Sequence, residues 1–459
     1  MVLFMKYFGT SGIRGIANND QFPDFYLHIA LTVGTILKSK DVALASDGRI
    51  TMPILKGAVV SGLAATGHNV IDLGTLPVSG LQYYCKVHKI PGLMVTASHN
   101  PSEYNGIKFF MENGMDFNLE MQEKVEQIYD SSKYMEKKGE GNAAESGINY
   151  VDWKSVGSWT HDDTAKELYI KGVLSHVDVE AIRAAKLTVL CDCTNGATSE
   201  TTPMLLKELG ITATVINGTL DGMFPGHQPE PIEENIGSTI ELTKRSKIDF
   251  AIVHDSDGDR AIYITPDGRY LDGNYALSLI GLGKIKKGDK VVVPVNTSDI
   301  FLDTLQRLGG VADITKIGAP LVARRMVEIG STFGGEENGG VIFGAHQFCR
   351  DGAMSVALMA EVVAKNNLGH LLASLPGFYY RRDKVYTPVP FDRIKARVME
   401  QEHVSQDETD GIKIYFSERK WVLVRPSGTE PAVRVYAQGA NKQEVDDLLT
   451  FYKKLALQE

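Results

Sequence analysis

One pattern occurs three times along the chain and constrains its fold more than any other feature: an apolar strand, a polar turn rich in Asp or Asn, a helix, a glycine and a second strand. It runs through DVALASDGRITMPILKGAVVSGLAATGHNVIDLG from Asp41, KLTVLCDCTNGATSETTPMLLKELGITATVIN from Lys186, and DKVVVPVNTSDIFLDTLQRLGGVADITKIG from Asp289, with Gly67, Gly210 and Gly309 in matching places. A glycine just past a helix accepts positive φ without strain. Strands of continuous Val, Leu and Ala, rather than alternating ones, suit a parallel sheet covered on both faces, and strand–helix–strand units build such a sheet. At 459 residues the chain is also too long for one hydrophobic core, because cores stop growing near about 250–300 residues. The pattern therefore predicts three similar α/β domains. Beyond about residue 373 the strand–helix signals thin out, which predicts a smaller C-terminal α+β domain. The expected boundaries are 1–153, 154–268, 269–372 and 373–459.

A net charge of −9 argues against a broad nucleic-acid or anionic-membrane surface, which would need clustered Lys and Arg. Anionic small substrates stay open, since a few local cations can bind them. The start, MVLFMKYFGTSGIRG, lacks the apolar core of a secretory signal, and no later run reaches the ~20 apolar residues of a membrane span. A cytoplasmic protein is expected. The four cysteines show no CxxC metal spacing, and Cys191 and Cys193 read as residues of a buried strand.

After each repeat a further apolar strand ends in a polar loop: GLMV leads into TASHNP, FAIV into HDSDGDR and STF into GGEENGG. Ligands of open α/β sheets sit outside the carboxyl ends of strands, so these loops are where chemistry is expected. HDSDGDR sets Asp255, Asp257 and Asp259 at alternate positions. Three carboxylates so close repel one another unless a cation neutralises them, and Mg²⁺ favours such oxygens. A calcium loop of the EF-hand kind is excluded, because Gly258 is fourth rather than sixth and Tyr270 stands sixteenth with no Glu at the twelfth position. Arg260 adds a cation beside the same anion. GGEENGG offers Glu336 and Asn338, a carboxylate and an amide able to exchange hydrogen bonds with sugar hydroxyls. In the C-terminal region WVLV runs into RPSGTEP, where Arg425, Ser427, Gly428 and Thr429, with Arg434 beyond, are the ingredients of a phosphate cradle. Near the start, FGTSGIRG presents Arg14 in a glycine-rich turn. Each loop alone could be an ordinary surface turn.

TASHNPSEYNGIK holds Ser98, His99 and Lys108. No GxSxG elbow surrounds Ser98, and adjacency to His99 does not supply the geometry of a hydrolase triad. Together with a three-Asp loop, a phosphate cradle and a hydroxyl-binding loop, another role fits better: Ser98 carries a phosphoryl group.

FGTSGIRG, TASHNPSEYNGIK, HDSDGDR, GGEENGG and RPSGTEP stand in the order and spacing of the α-D-phosphohexomutase superfamily, which the chain resembles from about Phe8 to Arg434. The resemblance implies four domains around a central cleft, the first three alike. It implies interconversion of hexose 1-phosphates and 6-phosphates, on mannose and glucose phosphates or alternatively glucosamine phosphates, through a phosphoserine and a hexose bisphosphate. Carried onto this sequence, it makes Ser98 the phosphoserine. Asp255, Asp257 and Asp259, with a Ser98 phosphoryl oxygen, become the ligands of one Mg²⁺. Glu336 and Asn338 become sugar contacts, and Arg425, Ser427, Gly428, Thr429 and Arg434 the clamp on the non-reacting phosphate. Arg14, His99, Lys108 and Arg260 become catalytic polar groups, with Lys108 and His99 the candidates for proton transfer. A hexose 1,6-bisphosphate activator and a monomer or homodimer are expected, with a small-molecule sugar phosphate as partner rather than nucleic acid or membrane. One departure stands out: many bacterial members read GExSGH where this chain has GEENGG, so Asn338 replaces a serine and Gly340 a histidine. Two rival readings remain: a metal-dependent sugar phosphatase, which would leave Ser98 idle, and a sugar-phosphate sensor, which could dispense with Ser98 and the aspartates.

Overall fold

Each of the three repeats folds as its pattern predicts. The computed structural model describes residues 6–138, 147–427 and 432–458. Its first α/β layer contains β1 (Ile13–Ile16), α1 (Pro23–Ile36), β2 (Asp41–Ser46), α2 (Met52–Ala65), β3 (Asn69–Thr75), α3 (Val78–His88), β4 (Gly92–Val95), β5 (Tyr104–Phe110), α4 (Leu119–Lys138) and β6 (Trp159–His161). The strands form one sheet in the order β1-β5-β4-β2-β3-β6. The second layer contains α5 (Ala165–Leu174), α6 (Val179–Ala185), β7 (Thr188–Asp192), α7 (Thr198–Glu208), β8 (Thr212–Ile216), α8 (Gly237–Arg245), β9 (Phe250–His254), β10 (Ala261–Ile264) and β11 (Tyr270–Leu271), in the order β11-β10-β9-β7-β8. The third contains α9 (Gly273–Lys284), β12 (Lys290–Pro294), α10 (Asp299–Arg307), β13 (Val311–Thr315), α11 (Ala319–Ile329), β14 (Phe333–Glu336) and β15 (Gly340–Phe343), in the order β13-β12-β14-β15. Then come α12 (Gly352–Lys365) and α13 (Leu368–Ser374). The last part contains β16 (Tyr379–Tyr386), α14 (Phe391–Met399), β17 (Ser405–Asp407), β18 (Ile412–Ser417), β19 (Lys420–Pro426), β20 (Ala432–Gly439) and α15 (Lys442–Leu457), an antiparallel sheet ordered β16-β20-β19-β18-β17. This is three α/β sheets followed by a C-terminal α+β domain.

The repeated segment closes the same way each time. β2 pairs in parallel with β3, β7 with β8 and β12 with β13. The glycines that end the intervening helices have φ of 90° at Gly67, 70° at Gly210 and 75° at Gly309. The sheets are not wholly parallel, however. β4, β9 and β14 each turn straight back into an antiparallel neighbour, β5, β10 and β15. A hairpin needs no helical crossover, so the polar loops of TASHNP, HDSDGDR and GGEENGG become tight connections at a strand's carboxyl end.

By its internal contacts the chain divides into two compact units, Met1–Leu271 with Ala345–Lys365, and Asp272–Gly344 with Asn366–Glu459. In the first, the β1–β6 sheet is covered on one face by α1, α2 and α4 through Tyr26, Ile29, Val33, Leu55, Val59 and Val125, and on the other by α3 through Val78, Leu81 and Cys85. Burying each such side chain is worth about 1.5–3 kcal/mol. The helix α12 packs on α5, α6 and α7 of this unit. In the second unit α14 and α15 cover the β16–β20 sheet through Ile394, Val398, Val445 and Leu449. Its two sheets are tied by Gln438 Oε1, which accepts from Ser298 Oγ at 2.6 Å and from the Asp299 backbone N–H at 2.8 Å. Among the described residues no helix is long and apolar enough to cross a membrane.

The segment after β8 folds back over the first layer. Phe224 lies over the Arg49 guanidinium, 5.0 Å from ring centroid to carbon. That segment is pinned at Asp192, whose carboxylate accepts from Thr239 Oγ1 at 2.6 Å and Asn217 Nδ2 at 2.9 Å and lies 3.2 Å from His227 Nε2. Burial alone would lower the pKa of His227, but the hydrogen bond and charge of Asp192 outweigh it and raise it. A raised histidine contributes stability that is fully present below its unfolded pKa and is lost as pH rises through its folded value; Asp192, held low, loses its share only in acid. His227→Ala is therefore expected to cost about 2 kcal/mol near pH 6, with the gap from wild type narrowing above about pH 7. Urea denaturation at a series of pH values checks this, and a gap that widens with pH contradicts it.

Candidate active site

In the first unit, β4 and β9 end side by side in function: the first delivers Ser98 and the second the three aspartates. Ser98 has a φ of 52°, in the left-handed region that costs a non-glycine residue roughly 1–2 kcal/mol. Its surroundings impose that conformation. The Ser98 N–H donates to Thr96 Oγ1 at 2.9 Å, and its carbonyl accepts from Arg49 Nη2 at 2.6 Å and from Ser256 Oγ. Ser98 Oγ in turn donates to Asp257 Oδ1 at 3.3 Å and lies 3.3 Å from His99 Nδ1.

Arg49 organises this loop. Fully buried, it donates to the carbonyls of Ser98, Asn100, Pro101 and Tyr104 at 2.6–2.9 Å, while its Nε is held by Asp47 Oδ2 at 2.9 Å. A planar guanidinium with five donors can gather a chain of carbonyls in this way; an ammonium cannot.

The Asp255, Asp257 and Asp259 carboxylates are buried, and their oxygens come within 4.8 Å of one another. Gly258 makes the turn possible with a φ of 71°, and a Cβ there would meet Thr198 Cγ2 at 2.5 Å. Lys108, on β5, donates from Nζ to Asp257 Oδ2 at 2.7 Å and reaches Asp259 Oδ2 at 3.5 Å. Arg350 donates to Asp259 Oδ2 at 2.6 Å. Arg260 Nε lies 3.4 Å from Asp255 Oδ2 and 3.6 Å from Asp259 Oδ1, outside hydrogen-bond geometry. Burial and the neighbouring Asp259 and Asp257 push the Asp255 pKa well up. Burial would do the same at Asp259, but Arg350, Lys108 and Arg260 outweigh it and hold that carboxyl below its ordinary range. Asp255 Oδ2 and Asp259 Oδ1 remain buried without a hydrogen-bond partner. Two orphaned oxygens in an all-oxygen donor set fit a hard divalent cation.

The other predicted groups of this unit gather here as well. Arg260 Nη2 lies 3.0 Å from His99 Nδ1; since a guanidinium only donates, Nδ1 is the acceptor and the ring proton is assigned to Nε2. Arg14 donates from Nη1 to Asn100 Oδ1 at 3.2 Å. Desolvation lowers its pKa to about 10, against the charges of Asp257 and Asp259. Arg14 lies on β1 opposite Gly106 rather than in the glycine-rich turn expected from the sequence. A buried His254, its pKa lowered to about 4 by burial, braces the loop by bonding Arg260 O at 2.9 Å and Thr202 Oγ1 at 3.0 Å.

The second unit holds the remaining predicted residues. Glu336 is the last residue of β14 and accepts from the Gly318 N–H at 3.1 Å; Asn338 Oδ1 accepts from the Gly340 N–H at 3.1 Å. Arg425 lies within β19 rather than in the loop after it, with its Nε 3.1 Å from Asp410 Oδ2. Arg434 on β20 stands directly opposite Arg425 on one side and Lys384 on the other. Three cations in one cross-strand row repel unless an anion lies among them. The Ser427 N–H donates to Ala432 O at 2.8 Å. Gly428 and Thr429 lie outside the described residues.

Two residues of the first unit escape sequence reasoning. Arg49 ends the run SDGR that leaves the carboxyl end of β2, so the rule that selected the other loops could have found it. Arg350, in FCRDGA between β15 and α12, carries no such signal.

The chain is similar to known proteins along nearly its whole length. The four phosphoglucomutase/phosphomannomutase families match in order: alpha/beta/alpha domain I over residues 5–136, domain II over 167–268, domain III over 272–379 and the C-terminal domain over 388–452. A phosphoglucomutase/phosphomannomutase of Thermococcus kodakarensis is 37% identical, with 98% of each chain covered. A phosphoglucosamine/phosphogalactosamine mutase of Sulfurisphaera tokodaii is 32% identical over 98% of this chain and 99% of its own. A crystal structure of a phosphoglucomutase/phosphomannomutase family protein from Burkholderia thailandensis superposes with a TM-score of 0.80 at 21% identity over 97% of this chain and 96% of its own, which speaks to the fold alone. With all four domains matched in order and relatives spanning nearly its whole length, the chain belongs to the phosphoglucomutase/phosphomannomutase family of the α-D-phosphohexomutase superfamily of enzymes.

Proposed function

We propose that this protein interconverts hexose 1-phosphates and 6-phosphates of glucose and mannose through a phosphorylated Ser98 and a hexose bisphosphate that reorients between half-reactions. The observation that carries the reading is the strained Ser98, whose Oγ meets Asp257 of the aspartate triad at 3.3 Å. A phosphatase built on the aspartates would have no use for a serine fixed in that conformation.

Charge supports the same assignment. Three carboxylates face four cations, Lys108, Arg260, Arg350 and Arg14. A phosphoserine would add close to two negative charges, which a divalent ion would offset. Asp255, Asp257, Asp259 and a Ser98 phosphoryl oxygen would hold that ion, Mg²⁺ by the chemistry of the donors, and when bound it supplies charge neutralisation for the phosphoryl group. Phosphoryl transfer needs mainly positioning and charge stabilisation. Arg260 and Arg14 supply fixed positive charge toward the transferring group. His99 Nδ1, at 3.3 Å from Ser98 Oγ, and Lys108 are the groups for moving protons to and from Ser98 and the sugar hydroxyl. Glu336 and Asn338 would contact sugar hydroxyls. Arg425, Arg434 and Ser427, with Gly428 and Thr429, would hold the non-reacting phosphate. A hexose 1,6-bisphosphate would rephosphorylate Ser98 whenever it is lost.

The sugar is assigned to glucose and mannose because the 37% identical relative is named for them. The second reading, glucosamine phosphates, is favoured by the 32% identical relative. Ranking kcat/KM for the three 1-phosphates, with products separated into 6-phosphate and free phosphate, decides between them and against a phosphatase.

Ser98→Ala is expected to lower kcat by about 10³-fold or more while leaving the circular dichroism spectrum unchanged; full activity in that variant contradicts the assignment. Arg425→Ala, by removing charge-assisted bonds worth about 1.5–3 kcal/mol, is expected to raise KM for the sugar phosphate about 10- to 150-fold, and an unchanged KM in steady-state assays removes the clamp.

A further inference from the structure

Arg350 lies in none of the loops assigned above, yet it touches the metal loop directly. Its Nη2 donates to Asp259 Oδ2 at 2.6 Å, and the two side chains are 9% and 5% exposed. The residue is anchored from behind. The neighbouring Asp351 carboxylate, buried, accepts from Tyr169 OH at 2.5 Å, from Gln347 Nε2 at 2.8 Å and from the Met354 N–H at 2.9 Å at the start of α12.

The consequence is a division of labour between the two oxygens of Asp259. Oδ2 is covered by Arg350, with Lys108 at 3.5 Å, while Oδ1 is buried with no hydrogen-bond partner. The other two aspartates are divided similarly. Asp255 gives Oδ1 to the Arg260 backbone N–H at 3.2 Å and leaves Oδ2 without a hydrogen-bond partner, with Arg260 Nε 3.4 Å away; Asp257 gives Oδ2 to Lys108 and turns Oδ1 to Ser98. A carboxylate with one oxygen occupied has one to offer a cation, whereas a carboxylate with both oxygens open can chelate. Calcium takes about 6–8 oxygens and readily uses both atoms of a carboxylate, whereas magnesium demands about six at shorter distance in near-octahedral geometry.

We propose that Arg350 sets the ion preference of the aspartate triad: by keeping one oxygen of Asp259 occupied, it disfavours calcium relative to magnesium. Arg350 is a positioning residue here, acting through Asp259. Arginine suits this role because it stays protonated and presents a rigid fork, whereas a lysine can lose its proton and swing away. The proposal rests on the reading of the triad as a divalent-cation site.

The test is calorimetric titration of Mg²⁺ and Ca²⁺ into the full chain as wild type, Arg350→Met, Arg350→Ala and Arg350→Lys, with Ser98 phosphorylation matched by intact mass and folding checked by circular dichroism. Wild type is expected to bind Mg²⁺ more tightly. In Arg350→Met or Arg350→Ala, whichever folds, the ratio of calcium to magnesium dissociation constants should shift toward calcium by about tenfold. Arg350→Lys, which keeps a donor but not the rigid fork, should shift the ratio in the same direction by less than Arg350→Met or Arg350→Ala does. If both ions weaken equally and the ratio holds, Arg350 is only a structural brace and the proposal falls while the cation site stands. If wild type binds neither ion, the cation site itself falls and the proposal with it.

Discussion

Everything at the Ser98 site depends on burying three aspartates together. At an effective dielectric of about 20, each pair of carboxylates at this spacing repels by about 3–4 kcal/mol, so the triad can exist only because its neighbours are cationic. Lys108 comes from β5, Arg260 from the end of the aspartate loop itself, Arg350 from the approach to α12 and Arg14 from β1. Each cation is delivered by a different element, so the local charge balance is a product of the tertiary fold and not of any single loop. The raised pKa of Asp255 beside the depressed Asp259 records where that compensation is weakest and where it is strongest.

The same logic explains the backbone. A strand that reverses into a hairpin exposes its connecting loop at the carboxyl end of the sheet, and the fold uses this device at Ser98, at the aspartates and at Glu336–Asn338. Such loops leave carbonyls without sheet partners. Arg49 collects four of them around Ser98, and Ser256 from the neighbouring loop collects one again. The strain at Ser98 is thus held by a buried guanidinium and by the aspartate loop together.

Much of this was legible in the sequence because it is periodic or local. The repeats at Asp41, Lys186 and Asp289 declared themselves through continuous apolar strands and a helix-ending glycine, and the aspartate spacing declared itself through mutual repulsion. What was hidden is what depends on pairing across the chain. Arg14 and Arg425 read as loop residues because of the glycines and serines beside them, yet ladder bonding to Gly106 and Arg434 carries the strands through them. The parallel-sheet reading of the strands missed the returning β5, β10 and β15, since a short apolar run does not tell its direction. Arg350 was invisible because its value lies in one contact made 91 residues away. The Glu336–Asn338 loop reads in the sequence as an expected hydroxyl binder but not as a choice of sugar, because a carboxylate and an amide offer acceptor and donor atoms to any neighbouring hydroxyls.

The central claim is that Ser98 carries the phosphoryl group during turnover. The most direct measurement labels Ser98 with radioactive phosphate and follows a single turnover after unlabelled hexose 1-phosphate is added. The account predicts that label leaves Ser98 for hexose bisphosphate and hexose 6-phosphate at least as fast as steady-state turnover. Label that stays on the protein through many turnovers, or leaves as inorganic phosphate, would contradict it.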